Sequence, residues 1–525
     1  TQQSSVNAQL AGGNTQAVIN ALPAGLAQLL TDANTINGTG FLTFSFPASM
    51  ANSVNSVLVR IPGVIAIQIN YCRDKQAEPN DPLYTGNQAW GQKYDNQWAI
   101  KRAGLTAGKD SAWRMLGSNP QPVVVAVIDT GLDWNHLDMN WDNIWRNPGE
   151  VPANGLDDDG NGYIDDMIGW DFYADTNNPW DHDGHGTFVA GVIAADTGNG
   201  TGIAGINPHA RIMVLKALNS FGHTRASYLA KAIVYAVDNG ARIINMSVGG
   251  KEITTIEQEA IKYAASKGVL VVVASGNEGI DVSEFGVAGL DSVLTVGATN
   301  LNDQRALFSN SGSAIDIAAP GIEVLSLRAR RTDTMRDIPG VKYDNAGAYV
   351  GEDRRYYRAS GTSFAAPIVA GVASLLLSAN PELSADELDR MLTQSARDVE
   401  VPGFDQLTGH GLVDARAALA ADPQFFIDAG ISRVEVVQDG GQTFVRVVGS
   451  ADANEFESAR VELGPGERPD KWKTVIDDVR QPVRDGVLGD VNANEFQGAA
   501  QWTLRLIVRH RNGTEREARF ALNLG

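Results

Sequence analysis

The sequence predicts an α/β protein on a doubly wound parallel sheet, with a small α+β unit before it and a β-sandwich after it. Three observations carry this. Between residues 97 and 422, apolar runs alternate with segments of helical periodicity, and strands buried on both faces of a parallel sheet read as such runs. Before residue 77, apolar and polar residues instead alternate at strand spacing. After Asp422, short β-rich runs are separated by turn signals, the pattern of a sandwich of about 100 residues. The expected units are therefore 1–76, 77–422 and 423–525.

Residues 1–13 are polar and expected to be frayed. In "FLTFSF", Leu42, Phe44 and Phe46 alternate as in a half-buried strand; Val54, Val57, Leu58 and Ile61 then recur at helical spacing, and Ile65, Ile67 and Ile69 share one face of a second strand. Residues 77–91, "AEPNDPLYTGNQAWG", read as a linker. Five apolar runs follow, at 123–131, 211–218, 242–250, 269–277 and 293–299, with helices expected over 185–195, 225–239 and 254–267. Gly240 and Gly268 stand where the last two helices need a residue tolerant of left-handed backbone. In such sheets chemistry collects at the carboxyl ends of strands, where Asp129 and Asn277 lie. The sandwich strands are "RVEVV", "TFVRVVG", "RVELG" and "WTLRLIVRH".

A chain of 525 residues with 43% hydrophobic and 20% charged residues has the composition of an ordinary globular protein. The net charge of −20 argues against a nucleic-acid partner and leaves carboxylates available for cations. Cys72 is the only cysteine, so no disulfide framework exists, and no apolar run reaches the roughly eighteen residues of a membrane span. The chain begins at Thr1 with no methionine, basic segment or apolar segment, as expected where a signal peptide has been removed.

"DHDGHGTFVAG", residues 181–191, sets two histidines three apart beside two aspartates. The spacing suits a metal site, or one histidine acting with partners elsewhere. Ser363, in "ASGTSFAAPIVAGVASLLL", opens an apolar helix whose small first residues allow close approach of another element. A serine there is ordinarily an N-cap; a nucleophilic one gains from first-turn N–H groups that stabilise an oxyanion, and needs a base with an orienting carboxylate. His185, between two glycines at a helix start, and Asp129, ending a buried strand, suit those roles. Asn277 in "ASGNEG" is placed to donate its amide to a developing negative charge.

Together, "VIDTG", "HGTFVAG", "ASGNEG" and "GTSFAAPIVAG" resemble the subtilisin-like serine proteases, in the order Asp129, His185, Ser363 of that family. The resemblance implies a protease acting on protein and peptide substrates, with Ser363 as nucleophile, His185 as base then acid, and Asp129 holding the imidazole. Asn277 and the Ser363 N–H would form the oxyanion hole. The metal reading of "DHDGHG" then yields to the triad, leaving His182 an exposed neighbour. "SVGG", 247–250, looks like the strand that pairs with substrate backbone, and Glu284 is a candidate for the base of the first specificity pocket, favouring a basic residue. Two departures, Phe188 and Ile368, stand where the family most often has histidine, and are expected to alter packing only. The Arg-rich stretch 327–357 reads as an insertion, either a solvated loop or a lid. A non-catalytic binding protein and a calcium-dependent adhesion module are the rival classes; neither accounts for the intact catalytic set.

"DDDGNGYIDD", 157–166, offers oxygen ligands at alternating positions with Gly162 sixth, as in the first half of an EF-hand loop. The expected Ca2+ ligands are Asp157, Asp159, Asn161, the Tyr163 carbonyl, and Asp165 or Asp166. The resemblance suggests a second calcium site at Asp138 and Asn199, with Asp81 as a third candidate. It also implies that the N-terminal unit is the enzyme's own propeptide, an intramolecular inhibitor and folding aid cut within 71–78. A secreted monomer is expected.

Overall fold

The computed structural model describes the backbone of residues 3–10, 33–36, 41–47 and 64–69, and residues 79–523 apart from 107, 109–110, 331, 333–347 and 352. Contacts divide the chain into Thr1–Gln76 and Ala77–Gly525.

In the first unit, four antiparallel strands, β1 (Gln3–Leu10), β2 (Ala33–Ile36), β3 (Phe41–Pro47) and β4 (Val64–Ile69), form a sheet in the order β2-β3-β1-β4. Residues 3–10, expected to fray, are an inner strand, with Val6 opposite both Phe44 and Ile69. The alternation Val6, Ala8, Leu10 is a strand pattern diluted by Gln, Ser and Asn, which is why composition misread it. The helix expected around Val54–Ile61 lies outside the described residues.

The second unit is organised by a seven-stranded, all-parallel sheet. Its strands are β5 (Val123–Asp129), β6 (Gly169–Asp171), β7 (Ala210–Lys216), β8 (Ile243–Met246), β9 (Leu270–Ala274), β10 (Leu294–Thr299) and β11 (Ile317–Pro320), ordered β11-β10-β9-β8-β5-β7-β6. All five expected runs are strands; β6 and β11 are too short to have stood out. β5 lies between β7 and β8, where the chain reverses its order, the crevice at which α/β sheets place their ligands.

Alternate residues of β5 feed two cores. Val123, Val125 and Val127 join the cluster containing helices α1 (His185–Ala194) and α4 (Thr362–Ala379). Ala126 and Ile128 join the one containing α2 (Ala226–Asp238) and α3 (Thr255–Ser266). Gly240 and Gly268, at φ 82° and 71°, follow α2 and α3 as expected. α4 is long and apolar enough to cross a membrane by length and composition, yet 89% of it is buried inside this body. The described part of the expected linker, residues 79–91, is no linker. Asp81 and Tyr84 are 0% and 1% exposed, and Tyr84 Oη donates to the Leu105 carbonyl at 2.9 Å. Turn-forming residues here close an anchored segment rather than an extended one.

A three-stranded antiparallel sheet, β12 (Val324–Leu327), β13 (Tyr349–Val350) and β14 (Tyr356–Ala359), leads into α4. It occupies both ends of the Arg-rich stretch, whose middle lies outside the described residues. Beyond α5 (Ala385–Gln394), antiparallel sheets of three and four strands between Ile427 and Asn523 share one apolar core, the expected sandwich architecture. Arg516 on its last strand donates to the Gln394 carbonyl of α5 at 2.7 Å.

Candidate active site

Asp129 ends β5 fully buried. A carboxylate there must be partnered. Its Oδ1 accepts from the Thr130 N–H at 2.7 Å, and His185 Nδ1 lies 2.8 and 2.9 Å from its two oxygens. His185 is the first residue of α1, whose start is pressed against the β5 loop. A Cβ on Gly186 would lie 2.3 Å from the Gly131 carbonyl oxygen, so only glycine fits beside the imidazole.

The turn before α1 is built on Asp181. Fully buried, its Oδ1 accepts from the N–H groups of Asp183 at 3.0 Å and Gly184 at 2.8 Å, and from Thr130 Oγ1 at 2.9 Å. Its Oδ2 takes both the N–H and the hydroxyl of Thr187, at 2.9 and 2.7 Å. A carboxylate so engaged orders the loop that presents His185. His182 is exposed. The metal alternative for "DHDGHG" therefore has no set of ligands, and sequence reasoning missed the positioning work of Asp181 because a buried turn carboxylate and a solvated one read alike.

Burial draws the His185 pKa down, but the Asp129 charge and hydrogen bond, with Asp183 and Asp181 behind them, outweigh it and hold the ring at about 8. The ring lies 5.3 Å, centroid to centroid, from Phe364, next to Ser363. Phe188, fully buried, packs on Phe364 at 4.4 Å, so the departure at this position is a packing change, as expected.

Ser363 is not an N-cap. Gly361 has that place, and Ser363 is the second residue of α4. Pro367, four residues on, has no N–H to give the Ser363 carbonyl. Ser247 Oγ donates to that carbonyl instead at 2.8 Å, while the Ser363 hydroxyl donates to the Ser247 carbonyl at 3.2 Å. The proline thus opens a backbone acceptor through which the "SVGG" segment is tied to Ser363. Among the described residues no hydrogen bond joins Ser363 to His185; a rotation of the hydroxyl away from Ser247 is needed to form one.

Asn277 follows β9. Its Oδ1 accepts from the Thr362 N–H at 2.8 Å and the Thr362 hydroxyl at 3.0 Å, which fixes the amide so that Nδ2 is the end left to donate. The structure therefore brings Asp129, His185, Ser363 and Asn277 together at the carboxyl edge of the sheet. Glu284 is exposed, and the buried neighbour Phe285 holds the inner position instead.

The acidic loop is arranged differently from expectation. Glu150, Asp159 and Asp166 place carboxylate oxygens within 4.8 Å of one another, with Glu150 and Asp166 buried. Glu150, outside the EF-hand-like stretch and so missed, also takes the N–H groups of Asp158 at 2.9 Å and Asp165 at 3.0 Å. Asp157 accepts from the Asn161 and Gly162 N–H groups at 3.0 and 2.9 Å, closing the turn. Asp165 is turned away, accepting from the N–H groups of Asn154 and Gly155 at 3.1 and 2.9 Å. Asn161 Nδ2 faces Asp159 and Asp166 at 3.1 and 2.9 Å while its Oδ1 takes the Tyr163 N–H at 2.8 Å. Amide donors between like charges offset their repulsion; to offer oxygen instead, this amide must flip.

At the second place, Asp81 and Asp138 are both fully buried. Asp138 accepts from Asn199 Nδ2 at 2.9 Å and the Ile203 N–H at 2.8 Å, and Asp81 from the Gly198 N–H at 2.8 Å. Burial pushes Asp138 up to about 7, with the Asp81 charge adding to the shift. Asn199, expected to supply an oxygen, turns its Nδ2 to Asp138 while its Oδ1 accepts from the Thr201 N–H at 2.7 Å, so this amide too must flip before it can serve as a ligand.

The signature described as the subtilase family matches residues 121–411. The chain is 37% identical over 303 residues to the thermophilic serine proteinase of Bacillus sp. (strain AK1), covering 58% of this chain and 63% of that one. It is 33% identical over 301 residues to thermitase of Thermoactinomyces vulgaris, covering 57% and 85%. Against the cell wall-associated protease of Bacillus subtilis (strain 168), 31% identity extends over 411 residues, 71% of this chain and 41% of that one. The buried Asp129–His185 pair and the serine at the head of α4 fall inside the matched region, and the chain belongs to the subtilase family of serine endopeptidases.

Proposed function

We propose that the chain hydrolyses peptide bonds through an acyl-enzyme, is made as a secreted, self-processing precursor, and is stabilised by calcium. The observation that carries the catalytic part is the His185 ring held through Nδ1 by both oxygens of a buried Asp129. This fixes the tautomer and leaves Nε2 for the reaction. Ser363 Oγ attacks the substrate carbonyl as Nε2 takes its proton. The oxyanion is received by Asn277 Nδ2 and the Ser363 N–H, one of the first-turn donors of α4. Collapse expels the amine, which leaves with the proton from His185. Water, deprotonated by the same nitrogen, then releases the acyl group and restores the hydroxyl.

A fluorophosphonate probe tests this, since it reports an activated nucleophile without needing a known substrate. We expect covalent modification at Ser363, with a rate that rises with pH through about 8 because only the neutral imidazole accepts the proton. An unmodified Ser363 in a folded sample would leave a binding protein of the same fold as the better reading.

Calcium would be held by Glu150, Asp159, Asp166 and a flipped Asn161, and separately by Asp81, Asp138 and a flipped Asn199. It would offset charge that the fold gathers and takes no part in the reaction. Chelation with EDTA is expected to lower Tm by at least a few degrees, since a cation held by the folded state alone stabilises it. An unchanged Tm removes calcium from the proposal. The first unit, Thr1–Gln76, is read as the propeptide, and the cleavage expected within 71–78 lies outside the described residues. The relation to the cell wall-associated protease of Bacillus subtilis supports secretion, and the chain is read as a monomer.

A further inference from the structure

We propose that Phe285 is a specificity-determining residue that fills the pocket beside Ser363, so that cleavage follows small residues such as alanine, serine or glycine. The inference rests on the acyl transfer proposed above. An acyl residue whose carbonyl carbon sits at Ser363 Oγ, with its oxygen at Asn277 Nδ2, must direct its side chain between two backbone segments. One runs from Ser247, whose carbonyl the Ser363 hydroxyl touches at 3.2 Å, to Gly250. The other ends at Gly276, just before Asn277.

Both walls are glycine where a pocket would open, and one ring edge lies against both. A Cβ on Gly249 would come within 2.2 Å of Phe285 Cε1 and 2.9 Å of Cζ. A Cβ on Gly276 would come within 2.7 Å of the same Cε1. The ring thus occupies the volume that the missing side chain leaves at Gly249, and at Gly276 it shares that volume with Asn310 Nδ2 and Glu278 Oε2, 2.4 and 2.8 Å from the same Cβ position. The backbone fixes it there. Gly286, at φ +51°, sits so close to the first segment that a Cβ would lie 2.6 Å from the Gly250 carbonyl oxygen. Phe285 is 8% exposed and belongs to the same apolar cluster as Met246 and Val282, so swinging it out would open a cavity in a close-packed core. A methyl or hydroxymethyl side chain fits over the ring edge; an aromatic or branched one must displace it.

The test is a set of fluorogenic peptides that differ only in the residue supplying the scissile carbonyl, assayed on the mature parent and on Phe285→Gly. For the parent, kcat/KM for alanine and serine is expected to exceed that for phenylalanine and tyrosine by about 100-fold, a ratio that steric exclusion of this kind reaches. Phe285→Gly is expected to raise the ratio of aromatic to alanine kcat/KM by at least tenfold. Phe285→Leu, which keeps most of the packing, should fall between and serves if the glycine variant does not fold. A parent that cleaves after aromatic residues as fast as after alanine, or variants with the parent's profile, overturns the assignment. Fluorophosphonate labelling of the same samples separates the failures: an unlabelled parent sinks the catalytic reading, whereas a labelled parent with the wrong profile sinks only the role of Phe285.

Discussion

Ser363→Ala is expected to lower kcat for peptide hydrolysis by about 10⁶-fold, the magnitude found when the nucleophile of a subtilisin is removed. Its Tm should stay within a few degrees of the parent. The two halves of this result come from different contacts. The Ser363 hydroxyl makes one hydrogen bond, to the Ser247 carbonyl at 3.2 Å, and such a bond contributes about 1 kcal/mol or less. The tie that positions the helix start runs through the Ser363 backbone carbonyl to Ser247 Oγ and survives the substitution. A folded, silent protein is the outcome. The variant should also retain its N-terminal unit where the parent loses it, read as a mass difference on a gel. Adding Asp129→Asn should cost little more, because the imidazole has nothing left to activate once the hydroxyl is gone. A Ser363→Ala protein that is processed and active would refute the assignment of the nucleophile.

The parts of this site that were legible in the sequence are those in which one residue type at one strand or helix end has little alternative. Asp129 after an apolar run, His185 between glycines and Ser363 before an apolar helix are local patterns, and the sheet that joins them follows from buried strands alternating with helices. What stayed hidden depends on long-range partners. Asp181 and Asp183 stand two positions apart in one loop and are both buried, yet nothing local marks Asp181 as the one that collects five donors from Thr130, Asp183, Gly184 and Thr187. Glu150 joins Asp159 and Asp166 from outside the stretch that carries the calcium-loop pattern. Ser247 matters through a carbonyl that Pro367 leaves open more than a hundred residues later, a relation no window of sequence contains. The error at residues 3–10 was of another kind: polar composition outweighed a short alternation that the strand register makes plain.

Glu323→Ala is expected to destabilise the second unit by about 3–5 kcal/mol, the range for breaking a buried ion pair on one side. Arg358, in β14, has a fully buried side chain, and its Nη1 lies 2.6 Å from Glu323 Oε1, itself on a side chain only 6% exposed. The Tyr94 hydroxyl donates to the same carboxylate, and the Trp90 ring lies 5.2 Å from the guanidinium carbon. Removing the carboxylate takes the counter-charge from Nη1 of a guanidinium that water does not reach. The damage also falls on the approach to the nucleophile. The Glu323 N–H bonds Ser360 Oγ at 2.9 Å, and the Gly361 N–H bonds the Gly321 carbonyl at 2.8 Å, so the 321–323 turn braces the residues just before α4. Activity should therefore fall together with the urea midpoint. Glu323→Gln carries the same left-handed backbone, at φ 46°, and keeps an acceptor for Arg358, so it should lose clearly less than alanine does. The difference between the two variants isolates the side-chain contribution from backbone strain. If alanine and glutamine lose equally, the turn rather than the ion pair holds this corner; if neither loses more than about 1 kcal/mol, the pair contributes no more than an exposed one would.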